Sequence, residues 1–85
     1  MWRVYVPKPV QKVLARVPVD DEQRLTAALN EMARDPFAGD VLKLAGVTYR
    51  RRVGAYRIIF DVTPAFRLVH IKDIFRRTTT TYRKR

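Results

Sequence analysis

The residues with the most chemical character in this chain are arginines, and they are crowded. Arg50, Arg51 and Arg52 stand in a row, Arg57 follows closely, and Arg76 and Arg77 precede a tail that carries Tyr82, Arg83 and Lys84. A guanidinium is a planar, permanently charged fork of donors that suits phosphate or carboxylate. Other reactive side chains are scarce. There is no cysteine, which excludes a thiolate nucleophile, a disulfide scaffold and a thiolate metal site. His70 is the single histidine and has no evident partner, so it reads as a structural residue of the last strand. No His/Asp/Glu group has metal-ligand spacing, so neither metal nor cofactor is expected. These residue types point to binding phosphate and stabilising charge on it.

The charge balance agrees. The chain has 85 residues and a net charge of +10. Residues 1–45 hold seven basic and six acidic side chains, whereas residues 46–85 hold eleven and two. Such a one-sided field favours a polyanion, most commonly nucleic acid. Solubility and an acidic protein partner are the competing readings. The length allows one domain, taken as residues 1–85, and 47% hydrophobic residues are enough for a folded core. No apolar run approaches membrane-spanning length and the N-terminus does not read as a signal peptide, so a cytoplasmic protein is expected.

The elements that must position the arginines follow from periodicity. Trp2 to Val6 alternates as a strand, with Trp2, Val4 and Val6 on one face. After Pro7 and Pro9, the residues Val10, Val13, Leu14 and Val17 form one helical stripe, which Pro18 stops. Asp20 is the expected N-cap of a second helix, whose stripe is Leu25, Ala28, Leu29 and Met32 and whose end is set by Pro36. Gly39 to Gly46 reads as a loop. Val47–Val53 and Tyr56–Val62 read as strands joined by Gly54-Ala55, a two-residue turn of type II′. Phe66–Phe75 is the last strand, and the basic tail from Arg76 to Arg85 is either a frayed helix or a strip laid over the sheet. The expectation is an α+β domain of order βααβββ, with a helical hairpin on one face of a mostly antiparallel four-stranded sheet.

The turn fixes the register. Val53 faces Tyr56, Arg52 faces Arg57, Arg51 faces Ile58, Arg50 faces Ile59 and Tyr49 faces Phe60. Side chains alternate between faces. Val47, Tyr49, Val53, Tyr56, Ile58, Phe60 and Val62 therefore form a core face, and Arg50, Arg52 and Arg57 meet on the other, with Asp61 as the one carboxylate expected to pair with them. Directly opposed arginines repel, which a fold tolerates most easily with an anionic ligand, or else by splaying them into water. By parity Arg51 falls on the core side, and either its stem snorkels from the sheet edge or a bulge shifts the register.

The segment KLAGVTYRRRVGAYRIIFDV (Lys43–Val62), followed by RRTTTTYRKR (Arg76–Arg85), resembles the RelE/ParE superfamily of toxins. The shared features are a Lys-Leu-x-Gly element before a basic hairpin, Gly-x-Tyr-Arg running into an apolar strand, and a last strand followed by Arg and, six residues on, Tyr. The resemblance covers essentially the whole chain. It implies a βααβββ fold with a concave basic sheet surface. It also implies a RelE-type toxin of a type II toxin–antitoxin system, an endoribonuclease (mRNA interferase) that enters the ribosomal A site and cleaves the bound mRNA codon, independent of metal, and is held inactive by a cognate antitoxin. Carried over by position, the catalytic residues are Arg57, Arg76, Tyr82 and Arg52, with Arg50, Arg51, Arg77, Arg83 and Lys84 as RNA-binding residues. Arg50 and Arg52 replace two lysines of the RelE site. Arginine cannot supply a neutral amine, so at these positions it can only neutralise phosphate.

The implied reaction is attack of an RNA 2′-OH on the adjacent phosphate. Arg57 foremost, with Arg50 and Arg52, would stabilise charge on the non-bridging oxygens, Arg76 would contact the leaving group, and Tyr82 would be base or stacking platform. Trp2, Tyr5 and Tyr56 read as core or sheet residues. Two other readings share the patch: a ParE-like toxin that inhibits DNA gyrase, and a non-catalytic nucleic-acid-binding module.

Overall fold

The computed structural model describes residues 1–77. The chain runs through strand β1 (Arg3–Tyr5), helices α1 (Lys8–Arg16) and α2 (Val19–Met32), and strands β2 (Asp40–Ala45), β3 (Thr48–Val53), β4 (Tyr56–Thr63) and β5 (Leu68–Arg76), with a 3-10 turn at Pro64–Phe66 before the last strand. The strands form one five-stranded sheet in the order β1-β5-β4-β3-β2. All neighbours are antiparallel except β1, which lies parallel to β5. The α+β class and the mostly antiparallel sheet agree with the sequence reading.

Three expectations need correction. The sheet has five strands, because the Gly39–Gly46 segment taken as a loop contains β2. That strand sits at the sheet edge with nearly every side chain exposed, so it lacks the apolar alternation that reveals a half-buried strand. Val47 is exposed in the turn between β2 and β3 and takes no part in the core. Helix α2 begins one residue before Asp20, with Pro18 at its N-cap position and no side-chain cap. Asp20, Asp21 and Glu22 instead fill the first turn, where carboxylates meet the positive end of the helix dipole. The helix also stops at Met32, short of Pro36, which lies fully buried.

Both helices lie on one face of the sheet. The core joins Val10 of α1 and Leu25, Ala28, Leu29 and Met32 of α2 to Ile58, Phe60, Val62, Val69, Ile71 and Ile74 of β4 and β5. Each large apolar side chain removed from water there contributes about 1.5–3 kcal/mol before entropy is counted. β1 is tied in at its N-terminal end, by Trp2 N–H donating to the Ala33 carbonyl at 2.7 Å and Arg3 N–H to that of Arg67 at 2.8 Å. Among the described residues no helix covers the other side of the sheet, so that face is open along β3, β4 and β5.

Candidate functional site

The β3–β4 hairpin has the register the turn demands, with Arg52 opposite Arg57, Arg51 opposite Ile58 and Arg50 opposite Ile59. Gly54 takes φ 58° and Ala55 is not in the positive-φ region, the combination of a type II′ turn that matches strand twist. Arg50, Arg52 and Arg57 therefore share the open face. Arg57 is only 9% exposed, and among the described residues its side chain makes a single long hydrogen bond, 3.5 Å to the carbonyl of Tyr56. Burial, and after it the charges of Arg52, Arg77 and Arg50, push its guanidinium below the ordinary arginine value, and Asp40 partly offsets them. The group remains charged at any physiological pH.

Arg77 reaches this cluster and Arg76 does not. In register, Arg76 faces Tyr56, on the helix side of the sheet. The backbone N–H of Arg77 donates to the carbonyl of Ala55 at 2.7 Å, which carries the end of β5 past the hairpin turn. Arg77 thus joins Arg52, Gly54, Ala55 and Arg57 in lining a depression of about 230 Å³. The position that sequence reasoning assigned to phosphate binding stands in the site, and the one assigned to the leaving group stands behind it. Strand parity at the end of β5 carries that distinction, and the uncertain end of the strand hid it.

Arg51 is separated from its neighbours as well. Its guanidinium lies on the helix side, 2.6 Å from Oε1 of Glu31 in α2. Gly39 makes room for it: a Cβ at that position would lie 2.8 Å from the Arg51 guanidinium carbon. The expected RNA-binding role for Arg51 gives way to an ion pair that clamps α2 to β3. The register contains no slip there, so neither a bulge nor an escape to water at the sheet edge is needed.

The carboxylate partner of the open-face arginines is Asp40. It stands 3.7 Å from Nη1 of Arg50 and 3.6 Å from Nε of Arg52. Asp61, expected in that role, accepts a hydrogen bond from the Thr48 hydroxyl and lies 3.6 Å from the Lys72 ammonium. Sequence reasoning missed Asp40 because it missed β2. At these distances one half-exposed carboxylate is shared between two guanidinium groups, and Nη1 of Arg50 is buried without a hydrogen bond. The cluster therefore keeps an excess of positive charge.

The Tyr56 hydroxyl donates to Asp21 Oδ2 at 3.2 Å, and burial first, then Asp21, raises its pKa while Arg76 lowers it. His70 packs edge-on against Tyr5 with ring centres 5.2 Å apart. Grooves of about 370 and 450 Å³ along the helices are lined mainly by apolar residues such as Leu14 and hold no cation. Among the described residues no group of three or more His, Cys, Asp or Glu could hold a metal, and no helix is long and apolar enough to cross a membrane. Tyr82, Arg83 and Lys84 lie outside the described residues.

No protein-family model matches the chain, and no curated protein matches it. Solved structures do. A chain of the archaeal RelE–RelB complex from Pyrococcus horikoshii superposes with a TM-score of 0.85 at 28% identity, covering 92% of this chain and 97% of that one. The isolated RelE toxin of E. coli gives a TM-score of 0.76 at 16% identity, covering 95% and 92%. A chain of the RelB–RelE antitoxin–toxin complex from Methanococcus jannaschii gives 0.69 at 22% identity, covering 87% and 88%. The arrangement of helices and strands is thus that of the RelE-like toxin fold, and this chain has that fold.

Proposed function

We propose that this protein is the toxin of a type II toxin–antitoxin pair, a ribosome-dependent endoribonuclease that cleaves mRNA at the A site in the cytoplasm and is neutralised by a cognate antitoxin. The observation that carries the reading is Arg57: a nearly buried cation with no carboxylate of its own among the described residues, ringed by Arg50, Arg52 and Arg77. A fold leaves such a group uncompensated at a cost, unless an anion completes it. RNA phosphate is the anion that the RelE-like fold suggests, and the RelE–RelB complexes among its structural neighbours suggest the antitoxin.

In the proposed reaction the 2′-OH of one nucleotide attacks the adjacent phosphorus. Its proton passes to a base, the bond to the 5′ oxygen breaks, and that oxygen takes up a proton, leaving a cyclic phosphate and a free 5′-OH. Charge grows on the non-bridging oxygens as the pentavalent state forms. Arg57, fixed by burial, stabilises that charge without having to reorganise, and Arg50, Arg52 and Arg77 hold the flanking phosphates. Tyr82, from the tail, is assigned the base or stacking role. No neutral amine takes part, since the lysine positions of the family hold arginine here, and no metal is assigned.

The test is to add the purified protein to a translating extract and map mRNA 5′ ends, with Arg57→Ala and Tyr82→Phe as controls. Codon-phased cuts that both variants weaken are expected. Intact mRNA together with inhibited DNA gyrase would contradict the reading.

A further inference from the structure

The open face does not end at the arginines. Phe75 is the register partner of Arg57 and so stands beside it on the same face, 42% exposed. Further along β5, His70 pairs with Asp61 of β4 on one side and with Tyr5 of β1 on the other, again on that face. Tyr5 is 52% exposed, and the two rings meet edge to face. The strand thus presents aromatic surface at both ends. At about 3.3 Å per residue, with one extra residue looped out at a bulge, the two stations are about 13 Å apart.

Between them the charge is negative or spent. Asp61 is held by Thr48 and Lys72, and Asp73 is exposed on β5. A phosphate is repelled there, while the flat faces of bases are not. Exposed aromatic rings beside a cationic groove are the common arrangement for holding single-stranded nucleic acid, because every base has a face to stack.

Resting on the RNA-cleaving reading above, we propose that Phe75 and the Tyr5–His70 pair form a base-stacking track leading away from the arginine site, so that the ligand is a single strand of several nucleotides and not one phosphodiester. The near station takes the base next to the phosphate on Arg57, and the far one takes a base beyond the reach of a dinucleotide.

Binding of 2′-O-methyl RNA, which cannot be cleaved, tests this by calorimetry with a dinucleotide and a pentanucleotide. The wild type binds the pentamer more tightly. Tyr5→Ala with His70→Ala lowers pentamer affinity about tenfold and leaves the dinucleotide within twofold, whereas Tyr5→Phe with His70→Phe restores the pentamer. Phe75→Ala weakens both oligomers. Equal affinity of wild type for the two lengths would overturn the track, as would equal loss on both in the Tyr5/His70 variant, or no loss. In each of those cases a dinucleotide still lost on Arg57→Ala keeps the arginine site intact. If no oligonucleotide binds at all, the track falls, while the ribosome-dependent reading is decided separately by the mRNA ends mapped in the translating extract.

Discussion

Arg51 and Arg57 are equally buried, 9% exposed each, and lie on adjacent strands of one hairpin, yet they face opposite environments. Arg51 points to the helices and meets Glu31 at 2.6 Å. Arg57 points to the open face, hydrogen-bonds among the described residues only to a backbone carbonyl, and has cations for neighbours. One buried arginine has its counter-charge within the fold and serves as a clamp. The other has none among the described residues and is suited to an anion brought from outside. Strand alternation alone sorts them: a single residue step in β3 separates structure from the candidate site.

The comparison breaks most visibly through function. Arg57→Ala is expected to lower mRNA cleavage about 100-fold or more, the scale of losing one fixed donor to a transition-state oxyanion, while melting temperature holds or rises as repulsion among the arginines is relieved. A loss of fold instead would make Arg57 structural like Arg51. Next in size, Glu31→Ala strands the Arg51 charge and should cost about 1–3 kcal/mol in urea unfolding, less than a fully buried pair because Glu31 is half exposed. Its cleavage per folded molecule should not change. A smaller effect is expected at Asp40, which dilutes the open-face charge: Asp40→Asn should tighten RNA binding about three- to tenfold at fixed low salt. Weaker binding would mean that Asp40 matters for aiming Arg50 and Arg52.

The smallest effect lies on the helix side. The raised pKa of Tyr56 means that the folded state holds the phenol proton more firmly than the unfolded chain. The stability this contributes is present in full below about pH 10, the unfolded value, and is lost as pH rises through the folded one. Tyr56→Phe should flatten that part of the unfolding curve between about pH 9 and 11, and an unchanged slope would remove the role of the Asp21 bond.

Much of this division is legible in the sequence. Gly54-Ala55 sets the hairpin register, and the register alone places Arg50, Arg52 and Arg57 together and Arg51 apart. What cannot be read there is what each arginine meets. Glu31 is twenty positions from Arg51, and nothing in helix periodicity says which exposed carboxylate lies over which strand. Asp40 stays hidden because an edge strand buries too little to show alternation. The exchange of Arg76 for Arg77 turns on parity at a strand end, where boundaries are least defined by sequence.

The most direct measurement compares cleavage rates, per mole of folded protein in a translating extract, between Arg57→Ala and the double variant Glu31→Met with Arg51→Met. The double swap removes both charges of the clamp and leaves apolar packing, which a fold commonly accepts. A loss of about 100-fold in the first and an unchanged rate in the second is the result expected. Equal losses in both, or cleavage that survives Arg57→Ala, would contradict the assignment of the open face as the catalytic one.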